Sequence, residues 1–449
     1  MKNSNTKMNK KTYKHGAPYN SDSEASGIEM PVPFYKRELK KRRLLSSSES
    51  DDDSIKVAPK QTKRKTKFSW TRRHFEPTIY EFDNQNSGIK TNIARKLSIL
   101  EMFQTFFSEE LIESIVEQTN KSFEHNTRGD IHSTKVTTVP EMYNFLAINM
   151  LMGRIHKISL SEYWCKDKLI RTESFREIMS RDRYTLLLKN LRFYDNNIMN
   201  HDPIMKIRYI IEQLRTSFKS AFYPFEKLCI DESLLKFKGR CYFKQFVPSK
   251  RSRFGIKSFV LCDIQTGYIQ DLLVYSGANM IISEDIPSKS IGKSGQIVMT
   301  LLKPYLGRGH TLVVDNWYSS PSLFLELHKN LTNAYGTVRK NRLDVPDLKK
   351  KIKKGICVFR STENMLALKW MDKREVWMIT TYHSANMIET DKIHYLTKDK
   401  IVKPHCIVDY NNTMGAVDKV DQILYSCEKC DVGLCIHPCF EMYHTLLDY

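Results

Sequence analysis

A short apolar run that ends in a carboxylate constrains this chain more than anything else in it: Leu228-Cys229-Ile230-Asp231, with Leu234, Leu235 and Phe237 resuming the apolar pattern beyond. The run reads as a buried strand, and it carries an acid that a core does not accept without a cation nearby. The same arrangement returns at Thr311-Leu312-Val313-Val314-Asp315, where a turn follows at Asn316-Trp317. A third acid, Asp418, lies in Met414–Gln422, which reads as helix, and Asp421 follows three residues later, close to the same helical face. Acids on a strand, at a later strand end and on a late helix point to a divalent-metal site assembled from distant pieces. The plainer readings are an N-cap for Asp315 and a solvated face for Asp421. Asp231 has no comparable alternative, and strand alternation turns its neighbour Glu232 to the opposite face.

The segments around these acids set the fold class. Apolar spacing predicts helices over Ile99–Gln118, from Pro140 to about Gly153, and over Phe175–Tyr194 and Pro203–Tyr223. From Leu228 the texture changes to strands at Leu228–Phe237, Gly255–Asp263 and Tyr268–Tyr275. A helix at Gly295–Tyr305, a strand at His310–Asp315, a helix at Pro321–Lys329 and a strand at Asn333–Arg339 complete the series. The order βββ-α-β-α-β, with a later helix carrying the last acid, is that of an RNase H-like α/β fold. The basic run Lys349–Lys354 and two strands at Met365–Met371 and Glu375–His383 read as a β-rich insertion before the last helix. The expected domains are therefore an arm at 1–75, a mostly helical domain at 76–226, a catalytic core at 227–341, an insertion at 342–404, the catalytic helix at 405–426 and a Cys-rich tail at 427–449.

Composition narrows the function. The 449 residues carry 71 Lys+Arg against 51 Asp+Glu, a net charge of +20 that favours a polyanionic partner such as DNA. Arg181, Arg183 and Arg192 are candidates for facing it, against the plainer reading of a solvated helix face. No uninterrupted apolar segment approaches the roughly 20 residues that span a bilayer, and no apolar signal core follows Met1, so the expectation is an intracellular protein with no membrane partner. The arm is polar and of mixed charge, which predicts disorder. Its clusters Lys40–Arg43 and Lys63–Lys65 are candidate nuclear import signals. Cys165, Cys229, Cys241, Cys262, Cys357 and Cys406 sit in apolar surroundings and read as reduced core thiols.

Several blocks together resemble one family, the piggyBac transposases. They are Ile230-Asp231-Glu232, Lys238-Gly239-Arg240, Pro248-Ser249-Lys250, Gly255-Ile256-Lys257, Asp315-Asn316-Trp317-Tyr318-Ser319 and Gly415-Ala416-Val417-Asp418-Lys419-Val420-Asp421-Gln422, in family order. The resemblance covers roughly residues 75–426. It implies a metal-dependent transposase that cuts and joins DNA at TTAA targets, binds terminal inverted repeats and works as a homodimer in the nucleus. It assigns the catalytic triad to Asp231, Asp315 and Asp418, with Asp421 as a further Mg²⁺ ligand. Two Mg²⁺ ions held by such carboxylates would neutralise charge on the attacking and leaving oxygens of a phosphodiester. The alternative is a domesticated, catalytically inactive DNA-binding or scaffold protein. After Gln422 the sequence departs from the family pattern: Ile423–Ser426 runs directly into Cys427, where further helices and a first Cys pair are expected. An incomplete dimerisation region and impaired transposition are the expectation from that departure.

The tail has its own chemistry. Two residues between Cys427 and Cys430 let both thiolates reach one tetrahedral Zn²⁺, and Cys439 with His444 completes four ligands, leaving Cys435 and His437 over. A frayed tail with free thiols is the alternative. Metal analysis of the purified chain should find one zinc per chain. Two would mean ligands supplied from elsewhere, and none would leave the tail without a metal-binding role.

Overall fold

The computed structural model describes residues 68–90, 97–126, 136–195, 201–237, 239–248, 253–277, 280, 282, 288–348, 351–393 and 398–418. Asp421 and the tail ligands Cys427, Cys430, Cys439 and His444 lie outside these residues, as do the two basic clusters of the arm. Phe68, Trp70 and Phe75, assigned above to the arm, are packed: Trp70 Nε1 donates to the Asp344 carbonyl at 2.9 Å, Thr71 beside it bridges Ser361, and Phe75 is buried. Their aromatic side chains bury too much apolar surface for the boundary to fall at 75.

A two-residue strand β1 (Gly88–Ile89) precedes the helical region. There the helix expected over Ile99–Gln118 divides into α1 (Ile99–Gln104) and α2 (Glu109–Asn126). Ser98 and Glu101 form a capping box at the first start, and the Ser108 hydroxyl accepts from the Leu111 amide at the second. Next comes α3 (Val139–Arg154), capped by Thr138, with Pro140 in its first turn. The segment expected as one helix from Phe175 is likewise two, α4 (Glu173–Ile178) and α5 (Arg181–Asn190), because the Ser180 hydroxyl accepts from the Arg183 amide and starts a new helix. Apolar periodicity runs through both breaks, which is why it does not reveal them. Leu111, Ile112, Ile115, Met142, Phe145, Ile148, Phe175 and Leu187 form the core of this region. Arg183 is committed within it, pairing with Glu141 at 2.6 Å, while Arg181 holds Asp182 and Arg192 donates to the Lys189 and Leu191 carbonyls.

The helix α6 (Met205–Ala221) leads through β2 (Phe222–Tyr223), which pairs with β1, into the central sheet. Its strands are β3 (Lys227–Lys236), β4 (Gln245–Phe246), β5 (Phe254–Asp263), β6 (Ile269–Val274), β7 (Thr311–Val314) and β8 (Asn333–Thr337). β6, β5 and β3 are antiparallel neighbours, and β3, β7 and β8 run parallel. The parallel connections carry α7 (Ser288–Leu302) and α8 (Pro321–Lys329), which cover one face of the sheet. α7 begins before the expected Gly295 and is kinked at Gly292, whose φ of 68° suits only glycine. The 342–404 segment is not a separate body. Its strands β9 (Cys357–Ser361), β10 (Leu366–Met371) and β11 (Glu375–Thr380) join the sheet beyond β8, in the order β8-β11-β10-β9. A hairpin of β12 (Met387–Ile393) and β13 (Lys400–Pro404) then feeds α9 (His405–Thr413).

Alternation along β3 sorts its side chains. Leu228 and Ile230 face the large core with Leu312, Val314, Leu323 and Phe324. Cys229 faces the other way, against Val260, Cys262, Ala416 and Val417. β7 is buried along its whole length, as a central parallel strand covered on both faces should be. Gly336 sits opposite Val314 in the β7–β8 ladder, where a Cβ would collide with the Val314 carbonyl and come 2.7 Å from Ser319 Oγ. Gly336→Ala should therefore destabilise the protein by about 1–3 kcal/mol in urea unfolding, against no change if that approach is not required.

Candidate active site

The ladder between β3 and β7 determines where the first two acids go. Ile230 pairs with Val314 on parallel strands, so Asp231 and Asp315 are each the next residue along, Asp315 just past the carboxyl end of β7 and Asp231 within β3, which runs on to Lys236. Both are half-buried. Ligand sites of open α/β sheets form outside strand ends such as that of β7. Asp315 is not a helix cap. Its Oδ1 accepts from the Trp317 amide at 2.8 Å in an Asx turn, and the cap of α8 is Ser320.

Asp418 arrives from α9. Lys227 Nζ at the start of β3 meets Asp409 Oδ2 at 3.2 Å, and the Cys229 thiol donates to the Met414 carbonyl at 3.6 Å. Residues 227, 229 and 231 share one face of the strand, so the helical segment runs along that face. The chain turns at Met414–Gly415 and is helical again at Ala416 to Asp418. Ala416 and Val417 pack against Cys229, Val260 and Cys262, so the segment that carries Asp418 lies on the face of β3 shared by Cys229 and Asp231, and Asp418 itself is exposed.

Burial raises the Asp315 carboxyl above its ordinary value, and the Glu232 carboxylate adds to the rise against the Trp317 amide. Glu232 is itself held by Lys257 at 3.0 Å, whose ammonium lies 5.1 Å from the Phe259 ring centroid and 5.2 Å from that of Trp317. Phe259 and Trp317 stack at 5.4 Å. Behind them Tyr318 is fully buried, and its hydroxyl has no partner among the described residues. Burial, together with Glu232, Asp231 and Asp315, pushes that phenol far up. The carboxyls of Glu232, Asp231 and Asp315 all act on the Tyr318 phenol, and a carboxyl whose charge burial disfavours, as at Asp315, suits a cation. An oxygen-only donor set of this kind fits Mg²⁺ or Mn²⁺.

Two arginines that sequence reasoning did not single out hold the Asp315 turn. Arg342 Nε donates to the Ser319 carbonyl at 2.9 Å and its Nη2 to the Asn316 carbonyl at 3.0 Å and that of Trp317, while Arg339 Nε donates to Asn316 Oδ1 at 3.0 Å. Their positions in Thr337-Val338-Arg339-Lys340-Asn341-Arg342, just past the strand beside β7, were the available signal. Asp263, adjacent in sequence to the strand pattern, is structural: its carboxylate accepts from the Phe225 and Thr266 amides at 2.8 and 2.7 Å.

A second polar group, also missed, lies at the other end of the same strand face. His383 Nε2 is 3.1 Å from Asp409 Oδ2, and ligand atoms of His383, His405 and Asp409 all lie within 4.8 Å of one another. Thr380 Oγ1 accepts from the Tyr382 and His383 amides at 3.0 and 3.1 Å, which commits its proton to His383 Nδ1 at 3.2 Å. The imidazole is then the Nε2–H tautomer and donates to Asp409. Burial keeps His383 neutral by lowering its pKa. The His383 hydrogen bond and the Lys227 charge depress the Asp409 carboxyl to about 2. A depressed carboxylate contributes stability above its unfolded value near 3.9 and loses it as pH falls through the folded one. Wild type should exceed Asp409→Asn by about 2 kcal/mol at pH 7 in urea unfolding, and the gap should close between about pH 4 and pH 2. A pH-independent gap would contradict this assignment.

With this geometry the comparisons converge. A family model described as "Transposase IS4", that of the piggyBac transposases, matches residues 99–432. Human PiggyBac transposable element-derived protein 2 is 24% identical over 397 residues, 84% of this chain and 65% of that protein. Human PiggyBac transposable element-derived protein 3 is 26% identical over 333 residues, 72% of this chain and 55% of that protein. The chain thus spans about two thirds or less of these relatives' lengths. A piggyBac transposase, solved by cryo-EM as a synaptic complex with hairpin DNA, superposes with a TM-score of 0.64 at 26% identity, covering 78% of this chain and 71% of that one. The α/β fold, the mixed sheet and the matched sequence agree, and the chain belongs to the piggyBac transposase family.

Proposed function

We propose that the chain is a DNA-cleaving and strand-transferring enzyme in which Asp231, Asp315 and Asp418 hold divalent cations, with Asp421 as a fourth carboxyl. The observation that carries this reading is the Ile230–Val314 pairing on parallel strands, which makes Asp231 and Asp315 neighbours on the sheet, with the segment that carries Asp418 packed on the same face of β3. The strand order β6-β5-β3-β7-β8, three antiparallel and then two parallel, supports an RNase H-like core. Bound Mg²⁺ would supply stabilisation of charge on the attacking and leaving oxygens of a phosphodiester. The protein's own share is to orient the carboxylates, with Arg342 and Arg339 fixing the turn that carries Asp315. The net charge of +20 supports a DNA partner, as does the hairpin DNA in the related transposase complex. Terminal inverted repeats, a TTAA target and a homodimer belong to the same proposal, as does a nuclear location served by the clusters at 40–43 and 63–65.

Asp231→Asn tests it. Metal-dependent nicking of a duplex substrate should fall by about 10³-fold or more, since several kcal/mol of charge stabilisation would go. DNA affinity should stay level or rise, because a carboxylate is removed beside phosphates. Equal nicking by the variant would defeat the catalytic reading. A wild type that binds DNA without cutting it would favour the domesticated, inactive alternative.

A further inference from the structure

We infer that Lys227, Asp409 and His383 form a clamp that sets the register of α9 against β3 and so holds Asp418 level with Asp231. They are positioning residues, and the inference rests on the catalytic reading of the triad above.

The clamp joins three elements at one carboxylate oxygen. Asp409 Oδ2 takes Lys227 Nζ from β3 at 3.2 Å and His383 Nε2, just past β11, at 3.1 Å. The Thr380 hydroxyl fixes the imidazole from behind, and the His383 ring meets Tyr335 of β8 edge-on at 4.7 Å. α9 is tied to β8 as well: Thr413 Oγ1 reaches the Asp409 carbonyl at 2.6 Å and the Tyr335 hydroxyl at 3.1 Å. Asp409 is therefore the charged point at which the helix is referenced to the strand that carries Asp231. Between Asp409 and Asp418, Met414, Ala416 and Val417 lie against Cys229 of the same strand, so a shift at Asp409 is passed along the segment towards Asp418.

A metal reading of the same cluster competes with this one, since two imidazoles and a carboxylate are a familiar ligand set. The hydrogen-bond network argues against it. Nδ1 of His383 is engaged by Thr380, Nε2 carries a proton given to Asp409, and an ammonium already lies on the oxygen that a cation would take.

The test uses the full chain and two variants, Asp409→Asn, which keeps an acceptor for His383 but drops the charge, and Lys227→Met, which keeps the apolar stem. Mn²⁺ binding is followed by electron paramagnetic resonance, and amide hydrogen exchange is mapped along the chain. Both variants should weaken Mn²⁺ binding on the order of 10-fold, as loss of outer supports of a metal site does. Exchange should accelerate over 405–418 and stay unchanged in β3 and β7. Wild-type Mn²⁺ affinity in both variants would overturn the inference, and so would faster exchange spread over the whole sheet, which would make the clamp general glue. If wild type binds no Mn²⁺ and cuts no DNA, the catalytic proposal fails by itself. Exchange over 405–418 then decides the clamp alone, local acceleration supporting it and none overturning it.

Discussion

Two faces of one strand organise this molecule. On β3, Leu228 and Ile230 point into the large core while Lys227, Cys229 and Asp231 point towards α9 and the segment after it. Parallel pairing with β7 copies that division, so the last core residue of each strand is followed by an acid. A one-residue slip of either strand would exchange its faces and turn its own carboxylate towards hydrocarbon. The apolar packing that fixes the register therefore also fixes the site.

The same economy explains the surroundings of Asp315. Its turn leaves the end of β7, and turns without partners fray. Here an Asx bond, the Ser319 amide and hydroxyl on the Asp315 carbonyl, and the Arg342 guanidinium on three carbonyls hold it in place. Lys257 balances Glu232 between two aromatic rings. Asp315, by contrast, sits where burial works against its charge, an arrangement suited to receiving a cation.

Much of this was legible in the sequence. An acid inside Leu228–Leu235 and another closing Thr311–Val314 announce themselves, because period and polarity disagree at one position. The strand meander, α8 and the β10–β11 hairpin were likewise readable from alternation and turn residues. The breaks at Ser108 and Ser180 were not, since the apolar stripe continues while a hydroxyl cap restarts the helix. Nor was the joining of β9, β10 and β11 to the central sheet, which depends on pairing between distant strands and leaves no mark in local periodicity. His383 and Asp409 went unnoticed for a related reason: 26 residues separate them, and neither sits in a pattern that marks it as a partner of Lys227.

The central claim is that three acids from two strands and a helix share their cations. The most direct measurement is an anomalous difference map from crystals of the chain grown with DNA and Mn²⁺. Manganese peaks are expected in contact with the carboxylates of Asp231, Asp315 and Asp418. Manganese bound at His383, His405 and Asp409 with those three acids bare would contradict it.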